Sequence, residues 1–351
     1  MRRRDFLRSS AFAAAALGTG SAVGPVFAAP AIATRTRELT LASPWPQSAS
    51  GYSDLAFGFT RRLEQALGGR IKCQLQTRTG SSIDVLNSGS ADLHIGFEHG
   101  NVPHHAAFGY FAGLPGHLGL DAETFRVWLT SGGGQGLWDE CSAQFGTKSL
   151  MIAHTVTGGG LWSKSGLSTL SGKRIAAQGI AREVLKGLGA EVSGIGMNAA
   201  GAAIASGKID AVEVSHMIEA LEAGIAHAAN AAILPGLTPG GSTLAVTLRR
   251  EFWDTLGADE QALFNGVAAD YCRSITADLR ANDRMLRNLL GKAHAISISS
   301  PNPVLTTEIT RVAEAVVADI AARDALSRRI NGAYMAAKEL SPANPQPENI
   351  A

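Results

Sequence analysis

Cysteine is scarce in this chain: three in 351 residues, Cys73, Cys141 and Cys272, far apart and with no C-x-x-C pair. An odd, scattered set makes neither a disulfide framework nor a thiolate metal site, so each reads as a small buried hydrophobe. Charge is also sparse and balanced, with 31 Lys and Arg against 30 Asp and Glu. That leaves no basic stripe to neutralise phosphates, and no nucleic-acid partner is expected. Signatures of catalysis are missing too. There is no G-x-S-x-G elbow, no H-E-x-x-H pair and no S-x-x-K set, and Gly172-Lys173 lacks the earlier glycine of a phosphate-binding loop. The sequence does not read as an enzyme.

What is present describes an ordered globular protein: 45% hydrophobic residues, 17% charged residues and 40 glycines, against the low apolar content and high charge of disordered chains. The length exceeds what one core usually supports, so two lobes are expected. The first residues stand apart. Arg2, Arg3 and Arg4 precede Asp5-Phe6-Leu7-Arg8 and an Ala-rich run to about Phe27, with Val26-Phe27-Ala28 as a small-x-small cleavage site. The paired arginines with Phe-Leu resemble the twin-arginine export signal. Removing 1–28 takes away four arginines and one aspartate and turns the net charge from +1 to −2. The apolar run is too short and too Gly-broken for a membrane anchor, and no later run spans a bilayer without charge. A periplasmic location is expected.

Past the leader, strand-like and helical runs alternate. Strands are expected at 38–42, 70–77 and 92–97, with helices at 52–67 and 82–88 between them. A Gly-broken helix over 122–141 leads to strands at 150–156 and 161–163, and a second alternating run covers 174–234. A strand at 243–247 precedes two long amphipathic stretches, 258–293 and 306–338. The fold class is α/β, two lobes around a ligand cleft, each with a mostly parallel sheet, braced by long C-terminal helices. The expected boundaries are 35–155 for lobe 1 with contributions from 243–290, 156–242 for lobe 2, and 250–340 for the bracing helices. Those long helices leave a homodimer by exchange open.

Histidine is unevenly placed. Five of nine fall between His94 and His117, with Glu98 among them, a set of residue types that can ligate zinc. The spacing offers no i, i+4 pair, and loop or cleft-facing histidines are the blander reading. A metal-binding protein built on His94–His117 stays as an alternative. Gly194-Ile195-Gly196-Met197-Asn198-Ala199 matches G-x-G-x-x-A but follows no convincing strand, so dinucleotide binding is not expected.

One region carries a more specific pattern. Gly158-Gly159-Gly160-Leu161-Trp162-Ser163-Lys164 is followed by Leu170-Ser171-Gly172-Lys173-Arg174-Ile175, then by Gly187-Leu188-Gly189-Ala190, then by Ser206-Gly207-Lys208-Ile209-Asp210-Ala211-Val212-Glu213. These elements resemble the extracytoplasmic solute-binding proteins of TRAP (tripartite ATP-independent periplasmic) transporters. The likeness extends to Gly69-Arg70-Ile71-Lys72, Gly113-Leu114-Pro115-Gly116 and Leu234-Pro235-Gly236, and the Gly-rich Trp128–Trp138 region is similar to the branch that takes 2-oxo acids. The resemblance implies a receptor that closes two α/β lobes over a small organic solute, often a carboxylate, and docks on membrane permease subunits. A sensor reporting to another protein is the variant of that reading.

The departures from the pattern matter. Where the family carries an arginine that pairs with the ligand carboxylate, this chain has Ala176; where it carries an aromatic and a Trp, it has Gly201 and Val214. Arg174 lies two residues before Ala176, on the same strand face but about 7 Å away. A roomier, less cationic pocket is therefore expected. Candidate contacts are Trp45, Gln47, Glu98, His99, His154, Thr155, Thr157, Arg174, Gln178, Glu213 and His216. Glu213, a carboxylate in a closed cleft without an arginine partner, is the candidate to meet a cationic ligand group or a metal ion that enters with the ligand; no cofactor is otherwise expected.

Overall fold

The computed structural model describes residues 36–46, 51–293 and 295–340. The leader 1–28 and Gln47 lie outside these residues. The chain begins β1 (Arg37–Ser43), α1 (Tyr52–Ala66), β2 (Ile71–Thr77), α2 (Ser82–Asn87) and β3 (Leu93–Phe97), then α3 (Phe108–Ala112), α4 (Ala122–Ser131), α5 (Gly134–Ala143) and β4 (Thr147–His154). It continues with β5 (Gly160–Ser163), β6 (Arg174–Ala176), α6 (Ala181–Gly187), β7 (Glu191–Ser193), α7 (Met197–Ala205), β8 (Ala211–Val214), α8 (Met217–Glu222), α9 (Ile225–Ala228) and β9 (Ala231–Ile233). β10 (Thr243–Arg249), α10 (Arg250–Thr255), α11 (Ala258–Ala293), β11 (Ser297–Ser299), α12 (Pro303–Arg323) and α13 (Ala325–Glu339) complete it.

Two sheets result, ordered β2-β1-β3-β10-β4 and β11-β9-β5-β8-β6-β7. Each is mostly parallel, with one strand reversed. β10 runs antiparallel to both β3 and β4, and β5 antiparallel to both β8 and β9. The antiparallel strands are those beside the two crossings, 155–159 outward and 234–242 back, because a chain that leaves a sheet and returns enters in the opposite sense. The remaining strands keep the parallel β-α-β pattern that the alternation predicts.

The long helix α11 explains why the lobes form one body. Its 36 residues reach about 54 Å at 1.5 Å per residue. Phe264, Ala268, Tyr271, Ile275 and Leu279, spaced by three or four, pack into the core of the first sheet. Leu286 and Leu290 join the core of the second. α12 and α13 cover a third apolar cluster that takes Phe111, Trp128 and Trp138 from lobe 1 and Ile175, Val184 and Leu185 from lobe 2. The 306–338 stretch is two helices instead of one. Asp324 leaves helical geometry, and its carboxylate accepts the Ser327 N–H at 2.7 Å, a side-chain N-cap that starts α13. Among the described residues no helix is long and apolar enough to cross a membrane.

Candidate functional site

Residues at and just past the carboxyl ends of β3, β6 and β8, from the two sheets, enclose a cavity of about 20 Å³. Ligands of open α/β sheets bind at this place, beyond the strand ends where connections diverge. The polar lining is His99 from lobe 1, Gln178, Glu213 and Ser215 from lobe 2, and Thr238 and Ser242 from the return crossing. No lysine or arginine lines it. The volume has room for about one water, so the lobes are shut, and the roomier pocket expected from the replacements is not found.

Steric detail explains the difference. A Cβ at Gly201 would lie 2.5 Å from the Ala223 carbonyl oxygen and 2.7 Å from the Gly224 carbonyl carbon. The glycine lets α7 press against the α8–α9 connection and vacates nothing. Ala176 is buried in the apolar cluster that includes Trp162, Ala203 and Val212. Val214 faces the cavity as a small apolar wall.

Glu213 is the charged group of the site. It is 5% exposed. Its Oε1 accepts the Leu237 N–H at 2.7 Å, and its Oε2 has no hydrogen-bond partner. Burial pushes the carboxyl up to about 8, with the backbone of Leu237 and both the backbone and the side chain of Thr238 opposing. The backbone hydrogen bond expected of this residue is thus present, on the return crossing.

His99 closes the opposite side. Its ring stacks on Phe97 with centroids 5.1 Å apart, Nε2 sits 3.2 Å from the Ser215 hydroxyl across the lobes, and Nδ1 is buried without a partner. Burial pulls its pKa down to about 4, so the imidazole is neutral. Gly179 permits the approach: its φ is +58°, and a Cβ there would lie 2.8 Å from the Cβ of His99.

Of the sequence candidates, then, His99, Gln178 and Glu213 come together at the cavity. Several others build the hinge. Thr155 Oγ1 accepts the Ser242 N–H at 2.7 Å and donates to the Ser215 carbonyl at 3.3 Å, tying both crossings to β8. His154 donates from Nδ1 to the Thr155 carbonyl at 2.6 Å and packs on Phe125. Thr157 reaches Asp283 of α11 at 3.5 Å. His216 caps α8, accepting the Ile218 N–H at 3.2 Å. Trp45 stacks on Tyr52 at 4.9 Å beside the site, not in it. Glu98 is fully buried in lobe 1 and accepts the Trp138 indole N–H at 2.9 Å.

Arg174 is placed elsewhere. It starts β6, at the end of the strand away from the cavity, and its exposed guanidinium holds Asp210 through two bonds of 2.9 and 3.2 Å. Two residues of displacement put it at the opposite end of a three-residue strand. The His94–His117 alternative is also corrected. His94 meets Ser82, His104 meets Ser81 and Asp84, His105 meets Asp324, and His117 meets Glu314. Among the described residues no group of three or more His, Cys, Asp and Glu is placed to hold a metal ion. Sequence reasoning missed Ser215, Thr238 and Ser242. Ser215 stands two residues after Glu213, on the same side of a strand end, and Pro235-Gly236 with Pro239-Gly240-Gly241 marks the return crossing that carries the other two.

No family model matches the chain. It is 23% identical over 347 residues to a monocarboxylate 2-oxoacid-binding periplasmic protein of Nostoc sp., covering 94% of this chain and 92% of that one. Among solved structures, a TRAP periplasmic solute-binding protein of Colwellia psychrerythraea with bound calcium and pyruvate superposes with TM-score 0.79 at 20% identity, over 87% of this chain and 95% of that one. An apo open TRAP solute-binding protein of Rhodobacter sphaeroides gives 0.63 at 17% identity, over 86% and 98%. The chain has the two-lobed fold of these periplasmic binding proteins.

Proposed function

We propose that this chain is the periplasmic receptor of a TRAP-type transporter, exported behind its leader, which shuts on a small carboxylate and delivers it to membrane permease subunits. The fold, the hinge of two crossings and the relatives that bind 2-oxo acids support the receptor reading. The observation that carries the choice of solute is the unpartnered Oε2 of Glu213 in a cavity lined by no basic side chain. Burial holds this carboxyl largely protonated in the shut cleft, and a cation arriving with the solute would let it ionise and bind that cation. The donors on offer, the free oxygen of Glu213 and the amide oxygen of Gln178, are hard oxygen ligands that suit sodium or calcium and not zinc. A cation held there would supply the charge that Ala176 does not.

Chemistry at the site is not part of this reading. Ser215 and His99 stand at serine–histidine distance, 3.2 Å, but no group orients the imidazole through Nδ1, and a base whose pKa is near 4 takes up a hydroxyl proton poorly.

A thermal-shift screen of small mono- and dicarboxylates, each with calcium and with a chelator, tests the proposal. Stabilisation by at least one 2-oxo acid in calcium, lost in the chelator, is expected. Stabilisation by none of them under either condition contradicts it.

A further inference from the structure

Among the described residues, the helix α1 begins without a side-chain cap from its own strand–helix connection. Gly51 occupies its N-cap position and brings no side-chain acceptor, although the first N–H groups of a helix need one. The acceptor comes from the other lobe. Glu222, the last residue of α8, takes the Tyr52 N–H on Oε1 at 3.3 Å, where a carboxylate also favours the positive end of the helix dipole.

Gly51 is what lets the carboxylate in. Its φ is +80°, and a Cβ there would lie 2.1 Å from Glu222 Oε1 and 2.9 Å from Ile218 Cγ2. Ile218 packs against the cores of both sheets. From Tyr52 the contact runs on to the cavity. The Tyr52 ring, fully buried, packs on Phe97 at 5.2 Å; Phe97 stacks on His99; His99 meets Ser215 across the cleft. Ser215 in turn donates its N–H to Glu219 of α8 at 2.8 Å. The chain of contacts thus returns to the helix from which it started, crossing between the lobes twice, once beside the cavity and once away from it.

We infer that Glu222 is a positioning residue for solute binding: it caps α1 from across the cleft and so stabilises the shut form without touching the solute. The inference rests on the receptor reading for what the shut form is for, and on contacts alone for the clasp itself.

Small-angle scattering and hydrogen exchange on the full mature chain test it, with and without pyruvate plus calcium as the probe. Glu222→Ala and Gly51→Ala are each expected to raise the radius of gyration above wild type under the same condition. Both are also expected to speed exchange in a peptide covering the first turn of α1, leaving its last turns protected. Glu222→Gln, which keeps an acceptor oxygen, is expected to stay near wild type. Where pyruvate binds, its affinity falls about tenfold in the Ala variants, because fewer molecules occupy the binding-competent form. If Glu222→Ala does not fold, Glu222→Asp, one methylene short, replaces it. Scattering and first-turn exchange that match wild type in these variants overturn the clasp. Lack of pyruvate binding by the wild type counts against the receptor's assigned solute class, and the scattering and exchange still decide the clasp.

Discussion

The two walls of the cleft are built from opposite materials. Lobe 1 presents His99, a neutral ring backed by the stack of Phe97, Tyr52 and Trp45. Lobe 2 presents Glu213, Gln178 and Ser215, the Glu213 carboxyl pushed up to about 8 by burial and with no lysine or arginine beside it. One wall is therefore aromatic and neutral, and the other carries a buried carboxyl whose charge depends on what enters with the solute. On the proposed reading, a cation that enters with an anionic solute would ionise this carboxyl and be held by it.

The largest effect is expected from removing that carboxyl. Glu213→Gln should weaken any calcium-dependent solute binding by about 100-fold, the scale of losing a buried charge partner. The same change should raise the melting temperature at pH 8, since it deletes a carboxyl that burial holds near 8. Calorimetry and a thermal melt read the two effects, and a variant that binds as tightly as wild type would move the charge elsewhere.

The apolar wall comes next. Gly179→Ala places a Cβ 2.8 Å from that of His99 at a backbone angle that disfavours alanine, which costs about 1–2 kcal/mol. Solute affinity should drop about tenfold with little loss of secondary structure by circular dichroism. Wild-type affinity would show that His99 and Gly179 do not meet in the bound form.

The pH response sets the buried histidines against the buried carboxyls. His94, His99, His154 and His216 are held near 4, below their unfolded value, so they add stability as pH rises from about 4 to 6.5. Glu98 and Glu213, held near 8, and Glu219 and Glu222, near 7, act in reverse. Their contribution is complete below the unfolded carboxylate value and is lost as pH rises toward 8. Between about 4.5 and 6.5 the two sets oppose each other; above 6.5 only the carboxyls titrate. The melting temperature should therefore be nearly flat from pH 5 to 6.5 and fall from 6.5 to 8.5. A rise over that upper range would contradict the burial of these carboxyls.

The smallest effect is expected at Arg174. Its ion pair with Asp210 is exposed and lies away from the cavity, and such pairs contribute little. Arg174→Ala should leave solute affinity unchanged by calorimetry, and a loss would bring the guanidinium into the cleft.

How much of this was legible in the sequence depends on the range of the forces involved. Local periodicity located β1, α1, β2, α2 and β3 within a residue or two, and it gave α11 its observed ends. The break at Asp324 was hidden because the apolar spacing runs on through it; the Asp324–Ser327 cap was the missed signal. β10 looked like any strand, since direction in a sheet is set by the crossing and not by composition. Of the cavity's lining, Gln178 and His99 were legible as polar residues just past strand ends and Glu213 as the polar residue near the end of β8. Arg174 was misplaced because register on a strand fixes the face but not which end meets the ligand. The contact of Glu222 with α1 spans 170 residues and leaves no local trace except a glycine where a capping side chain would stand.

The most direct test of the charge argument is a crystal structure of the mature protein grown with pyruvate and calcium. The account predicts a cation at about 2.3–2.6 Å from Oε2 of Glu213, with the solute carboxylate on its other side. A carboxylate bound between the lobes with no cation beside Glu213 would contradict it.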